Sequence, residues 1–255
     1  MASNQFVWYE LMTSDTSAAT KFYEKVLGMS GADGGMPGMN YTIVSAGGAP
    51  VGGVMDIPAE AKKMGARPSW IGYVGVADVD AYAVKVKAAG GAIHHAPEDI
   101  PQVGRFAVVT DPHGAAFSLF KGSNEEAPPS APAGTPGHVG WHELHAGDGP
   151  AAFAFYSGLF GWTKDEAMDM GAMGVYQLFA AGGATIGGMM TKTPETPEPN
   201  WLYYFNVDAV EPAMERVKKG GGQVLNGPME VPGPMWIAQC TDPQGAMFAV
   251  VSAKK

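Results

Sequence analysis

The chain says nearly the same thing twice, and that repetition limits what it can fold into. "FVWYELMTSD" at Phe6–Asp15 returns as "VGWHELHAGD" at Val139–Asp148. Trp8 matches Trp141, Glu10 matches Glu143, and Phe22-Tyr23 matches Phe155-Tyr156, all 133 positions apart. Gly52-Gly53 and Gly187-Gly188 are 135 apart. Trp70 and Trp201, Gly90-Gly91 and Gly221-Gly222, and Asp111-Pro112 and Asp242-Pro243 are 131 apart. A near-constant offset with small drifts at loops is the mark of a duplicated domain. Between the copies lies "GSNEEAPPSAPAGTPG", whose Pro, Ala, Ser and Gly have little to pack and read as a semi-extended linker. The expected organisation is a first domain at 1–121, a linker at 122–137 and a second domain at 138–255. Each domain has about 125 residues, enough to bury a core of its own.

Within each half the elements follow one order. "QFVWYELMT" alternates and is rich in bulky residues, so it is a strand. "DTSAATKFYEKVLG" offers Asp or Thr as an N-cap, places Ala18, Phe22 and Val26 at helical spacing, and stops at Gly28. Strands follow at "MNYTIVSAGG" and "APVGGVMDI", joined by a glycine turn. The series restarts with strand "SWIGYVGV", helix "DVDAYAVKVKAAGG" and strands "AIHHA", "GRFAVVTDPHG" and "AAFSLFK". Each half therefore holds a βαβββ module twice. The fold class is α+β, with curved, mostly antiparallel sheets and helices on their outer faces.

Composition removes several functions. A net charge of −9 without any basic run argues against a nucleic-acid surface. Cys240 is the only cysteine, which excludes an internal disulfide and any cysteine zinc cluster and fits a reducing compartment. "MASNQFVWYE" has no basic-then-apolar signal pattern, and no window approaches 18 consecutive apolar residues. A cytoplasmic protein without nucleic-acid or membrane partners is expected, either a monomer or a weak homodimer.

The pattern of strand, Asp, "FY…LG", then "V.DVD…GG", then "DP.G…F" resembles the vicinal oxygen chelate superfamily, which includes glyoxalase I, bleomycin-resistance proteins and extradiol dioxygenases. The paired "W.EL" and the "FGW" feature look more specifically like tandem glyoxalase-like proteins of the antigen or hydroxylase-like group. The resemblance implies that paired modules form an incompletely closed barrel around a cleft, where enzymes of the superfamily chelate a divalent metal. It places the first ligand seven positions before the Asp that opens the first helix, at Trp8 and Trp141. The next falls near Ile71 and Leu202, and the last at Ser118 and Ala249. Divalent metals take imidazole, carboxylate or thiolate. The usual chelate is absent, no cofactor is expected, and a divalent metal would need a non-standard site.

Strand alternation puts Trp8, Glu10 and Met12 on one face and Val7, Tyr9 and Leu11 on the other. Trp141, Glu143 and His145 repeat the first set, and His142 falls on the opposite face from His145. A glutamate beside a tryptophan in a cleft suits an acid or base; it equally suits a hydrogen-bond anchor of the sheet. Glu10 and Glu143 are thus candidate bases. Trp8, Tyr73 and Ser118 in the first half, and Trp141, His145 and Tyr204 in the second, are candidate ligand contacts. Trp70 and Trp201 belong to the core, His94 and His95 to the surface, and Met168, Met170 and Met173 to the core or an adaptable pocket wall. "DPHG" and "DPQG" read as turns without chemistry.

Three functions fit. The first is a metal-independent protein binding a small hydrophobic or aromatic molecule, of glyoxalase/bleomycin-resistance type. The second is a glyoxalase-like lyase or hydroxylase-like oxidoreductase using a cleft glutamate as base. The third is a non-catalytic interaction protein whose clefts are filled by the tryptophans.

Overall fold

The structure is a computed structural model that describes residues 4–36, 38–123 and 131–255. Residues 124–130 of the expected linker lie outside the described residues. The first quarter runs β1 (Phe6–Thr13), α1 (Thr16–Leu27), β2 (Ser30–Asp33), β3 (Tyr41–Ala46) and β4 (Ala49–Asp56). A short helix, α2 (Ala59–Lys63), leads to β5 (Ser69–Gly75), α3 (Val79–Ala88), β6 (Ala92–Ile100), β7 (Gly104–Thr110) and β8 (Ala116–Gly122). The third quarter holds β9 (Val139–Ala146), α4 (Gly149–Phe160), β10 (Thr163–Asp169), β11 (Val175–Ala181) and β12 (Ala184–Thr191). The last holds β13 (Asn200–Asn206), α5 (Val210–Lys219), β14 (Gln223–Val231), β15 (Met235–Thr241) and β16 (Met247–Ser252).

Local chemistry sets these boundaries. Asp15 caps α1 by accepting from the Ala18 amide at 2.9 Å, and Asp148 caps α4 through the Ala151 amide at 2.8 Å. Gly28 ends α1 in the left-handed region at φ 72°, a conformation that a side chain disfavours. The strands form two eight-stranded sheets, ordered β2-β3-β4-β1-β5-β8-β7-β6 and β10-β11-β12-β9-β13-β16-β15-β14. Neither sheet closes into a barrel. Within each quarter the first strand pairs parallel with the last, and the remaining pairs are antiparallel. The second strand of the first βαβββ module, β2, is short and exposed along its length, so it lacked the apolar alternation that marks the others.

The described residues gather into two compact units, and each draws on both halves of the sequence. One unit holds residues 4–8, 71–123 and 142–201; the other holds 9–70, 131–141 and 202–255. In the first, Trp162 is 1% exposed and stacks on Phe179 and Tyr156, with Phe6 and Phe160 beside it. The Trp201 indole donates to the Tyr156 hydroxyl at 3.0 Å, and that hydroxyl donates to Asp111 Oδ2 at 3.4 Å. The second unit repeats the chain: Trp70 to Tyr23 at 3.0 Å, and Tyr23 to Asp242 Oδ2 at 3.3 Å. Trp70 and Trp201 are core residues, as their parity predicts.

The "DP.G" aspartates do more than form turns. Asp111 Oδ1 accepts from the His113 and Ala115 amides, and Asp242 Oδ1 from those of Gln244 and Ala246. Each carboxylate thus fixes its turn with one oxygen and receives a buried tyrosine with the other. Burial pushes the Asp242 carboxyl and the Tyr23 phenol above their ordinary values. It also pushes the Cys240 thiol up to about 12, so the sole cysteine is not a nucleophile at neutral pH.

Candidate functional site

Strand β9 presents two unlike faces. His142, Leu144 and Ala146 are buried on one, while Trp141, Glu143 and His145 are only partly covered on the other. The buried His142 stacks on Phe6 at 4.4 Å, its Nδ1 lies 2.7 Å from the Ile186 carbonyl, and burial lowers its pKa to about 4. It is neutral at physiological pH and belongs to the core.

On the other face, Glu143 is held at both oxygens. Tyr176 on β11 donates its hydroxyl to Oε2 at 3.0 Å, and His145 Nε2 lies 2.9 Å from Oε1. The Glu143 and His145 side chains keep 12% and 16% of their surface in solvent. The reach from β11 to β9 depends on β12 between them. Gly188 is the β12 residue opposite Glu143, and a Cβ there would overlap the Tyr176 ring and hydroxyl. A glycine at this register lets a tyrosine cross one strand and bind a carboxylate on the next.

The first half is built the same way. Glu10 on β1 is 8% exposed, Gly53 on β4 stands opposite it, and a Cβ on Gly53 would overlap Tyr41 of β3. The copies diverge beside the glutamate. Met12, opposite Met55, stands where the second half has His145 opposite Met190. Tyr41 and Tyr176 escaped the sequence reading, although they share the 135-position offset of the glycine pairs. That shared offset was the available signal.

The other expected contacts fall as follows. Tyr73 and Ser118 are direct neighbours across β5 and β8, both buried, with Trp8 partly exposed in the same unit. The Ser118 hydroxyl has no hydrogen-bond partner among the described residues. Tyr204 is buried in a cluster with Leu202, Ile237, Ala249 and Val251, against which Trp141 packs, and its hydroxyl receives Gln239 at 3.1 Å. His94 and His95 are exposed, and His95 pairs with Glu98 at 2.7 Å. Met170 and Met173 are 40% and 49% exposed beside a single 3-10 turn at Gly171–Met173, so they fill no core. Concavities of about 310 and 830 Å³ border α1 elsewhere; of the residues just described, Tyr41 borders the larger.

These positions do not suit the metal that the resemblance implies. Trp141, Leu202 and Ala249 meet in one apolar cluster, and Trp8, Ile71 and Ser118 supply a lone hydroxyl. Among the described residues no three His, Cys, Asp or Glu side chains converge as a metal site.

The sequence matches the Glyoxalase/Bleomycin resistance protein/Dioxygenase superfamily over residues 5–119 and again over 135–250. The chain belongs to this superfamily. A relative in Mycobacterium bovis and Mycobacterium tuberculosis, "Putative glyoxylase CFP32", is 34% identical over 247 residues, covering 96% of this chain and 93% of the relative. "Anthracycline biosynthesis protein DauV" of Streptomyces sp. (strain C5) is 31% identical over 264 residues, covering 97% and 93%. The Mn(II)-bound glyoxalase from Novosphingobium aromaticivorans shares the fold at a TM-score of 0.69 and 18% identity, over 100% of this chain and 83% of that one. The 2,3-dioxygenase LapB from Pseudomonas sp. KL28 does so at 0.67 and 12%, over 98% and 92%. The superfamily fold is therefore present, with its two copies. No helix among the described residues is long and apolar enough to cross a membrane.

Proposed function

We propose that this superfamily member binds a planar, largely apolar small molecule without a metal at the usual positions. The ligand lies against the face of β9 that carries Trp141, Glu143 and His145, and a related face on β1 carries Trp8 and Glu10. One observation carries the reading. An indole stands where the resemblance puts the first metal ligand, and two residues along the same face comes a carboxylate clamped by Tyr176 and His145. An aromatic surface beside a fixed hydrogen-bonding group is the usual composition of a small-molecule site. Two relatives, DauV and the DnrV protein of Streptomyces peucetius, are named for anthracycline biosynthesis, and anthracyclines are planar aromatic compounds. Quenching of tryptophan fluorescence by a panel of hydroxylated naphthoquinones tests the reading. Trp141→Ala is expected to weaken it by on the order of tenfold, the effect of losing one aromatic contact of about 1.5 kcal/mol. Absence of quenching by every compound would favour a protein whose tryptophans only fill space.

The Glu143–His145 pair also favours a second reading, a lyase in which Glu143 acts as base. Turnover of methylglyoxal–thiol adducts, abolished in Glu143→Gln, would establish it. Failure to turn over any such adduct would leave binding as the function.

A further inference from the structure

The two halves are copies, yet their carboxylates stand in different company. Glu143 shares its face with an imidazole at 2.9 Å, whereas the matching position beside Glu10 is the thioether of Met12. A thioether neither holds nor releases a proton; an imidazole does both. Tyr176 donates to the other carboxylate oxygen, so the carboxylate's orientation is fixed from both sides. With His145 neutral, the pair carries one negative charge. With a proton added to His145, it becomes an ion pair of zero net charge, and little of it faces water, since the side chains are 12% and 16% exposed. A site of this kind takes up one proton without gaining a net charge.

We propose that the second half is the proton-accepting site of the two. It captures planar compounds bearing a weakly acidic hydroxyl, a phenol or an enol, as their anions. The step balances: the ligand O–H bond breaks, its electron pair stays on the ligand oxygen, and the proton passes to the His145 imidazole. No oxidant or further reactant is needed. Glu143 holds the resulting imidazolium, and Tyr176 keeps the carboxylate in place. The matching face of the first half, with Met12, takes the same compounds only in neutral form. This rests on the reading above that the β9 face binds a small molecule.

The test uses the full chain with 4-nitrophenol, whose anion absorbs at longer wavelength than its acid. At a pH where the free probe is protonated, binding is expected to bring up the anion band with a stoichiometry of one per chain. His145→Met, which installs the first half's residue, and His145→Gln, which keeps a polar side chain without a titratable proton, are both expected to lower the anion band per molecule of bound probe at least tenfold, whatever change they make in affinity. Melting curves identify any variant that fails to fold, and the other then decides. Quenching without an anion band in the wild-type protein, or a band that survives both substitutions, overturns the inference and leaves the binding reading standing. No quenching at all overturns both.

Discussion

Glu143 is held by contacts that single substitutions remove. Tyr176→Phe deletes a bond to a largely buried carboxylate, and such bonds contribute about 1.5–3 kcal/mol. Denaturant unfolding is expected to show a loss in that range with an unchanged m-value. Gly188→Ala should displace the Tyr176 ring through the Cβ that cannot fit, and so weaken ligand binding at least as much as Tyr176→Phe. If Gly188→Ala binds like wild type, the tyrosine does not depend on that gap. His142 makes a separate prediction about acid. Its folded pKa is lowered to about 4 by burial, against about 6.5 in an unfolded chain. The stability this neutral histidine brings is complete above about pH 6.5 and is lost as pH falls through the folded value. Between those limits the unfolded state binds the extra proton, and the loss approaches about 3 kcal/mol at and below pH 4. His142→Phe should flatten this part of the stability–pH curve. An equally steep curve in that variant would assign the acid sensitivity to other groups.

At the scale of elements, the helices are where sequence and structure meet most closely. Asp15 and Asp148 each cap a first helix, and Asp15→Ala or Asp148→Ala is expected to cost about 1 kcal/mol in equilibrium unfolding. A cost near zero for both would mean that packing of Phe22, Tyr23, Phe155 and Tyr156 alone holds the helices. β1, α1, β4, β5 and β9 were legible because capping residues, helical spacing and period-two alternation are local signals. So was the opposite facing of His142 and His145 on β9. β2 was not, because "SGAD" is exposed and alternates nothing. Tyr176 was not, because its role depends on β12 lying between β11 and β9 and on a glycine at one register position. Such facts belong to strand pairing between distant segments, which alternation within one strand does not encode. The second duty of Asp111 and Asp242, receiving Tyr156 and Tyr23, escaped for the same reason: the partners are distant in sequence.

At the scale of the whole molecule, duplication explains the recurrence of the Trp–Tyr–Asp chain in each compact unit and of the Tyr–Gly–Glu arrangement in each half. It also makes the divergences informative: His145 against Met12, and Ala249 against Ser118, lie at matching positions on otherwise parallel surfaces. The superfamily fold is retained. Binding without a metal is the central claim, and titration of the chelator-treated full chain with 2-hydroxy-1,4-naphthoquinone tests it most directly. Affinity is expected to be the same with and without excess EDTA, unchanged by added Mn²⁺ or Zn²⁺, and lowered by Trp141→Ala and Glu143→Gln. Binding that disappears on chelation and returns with a divalent metal would contradict the account.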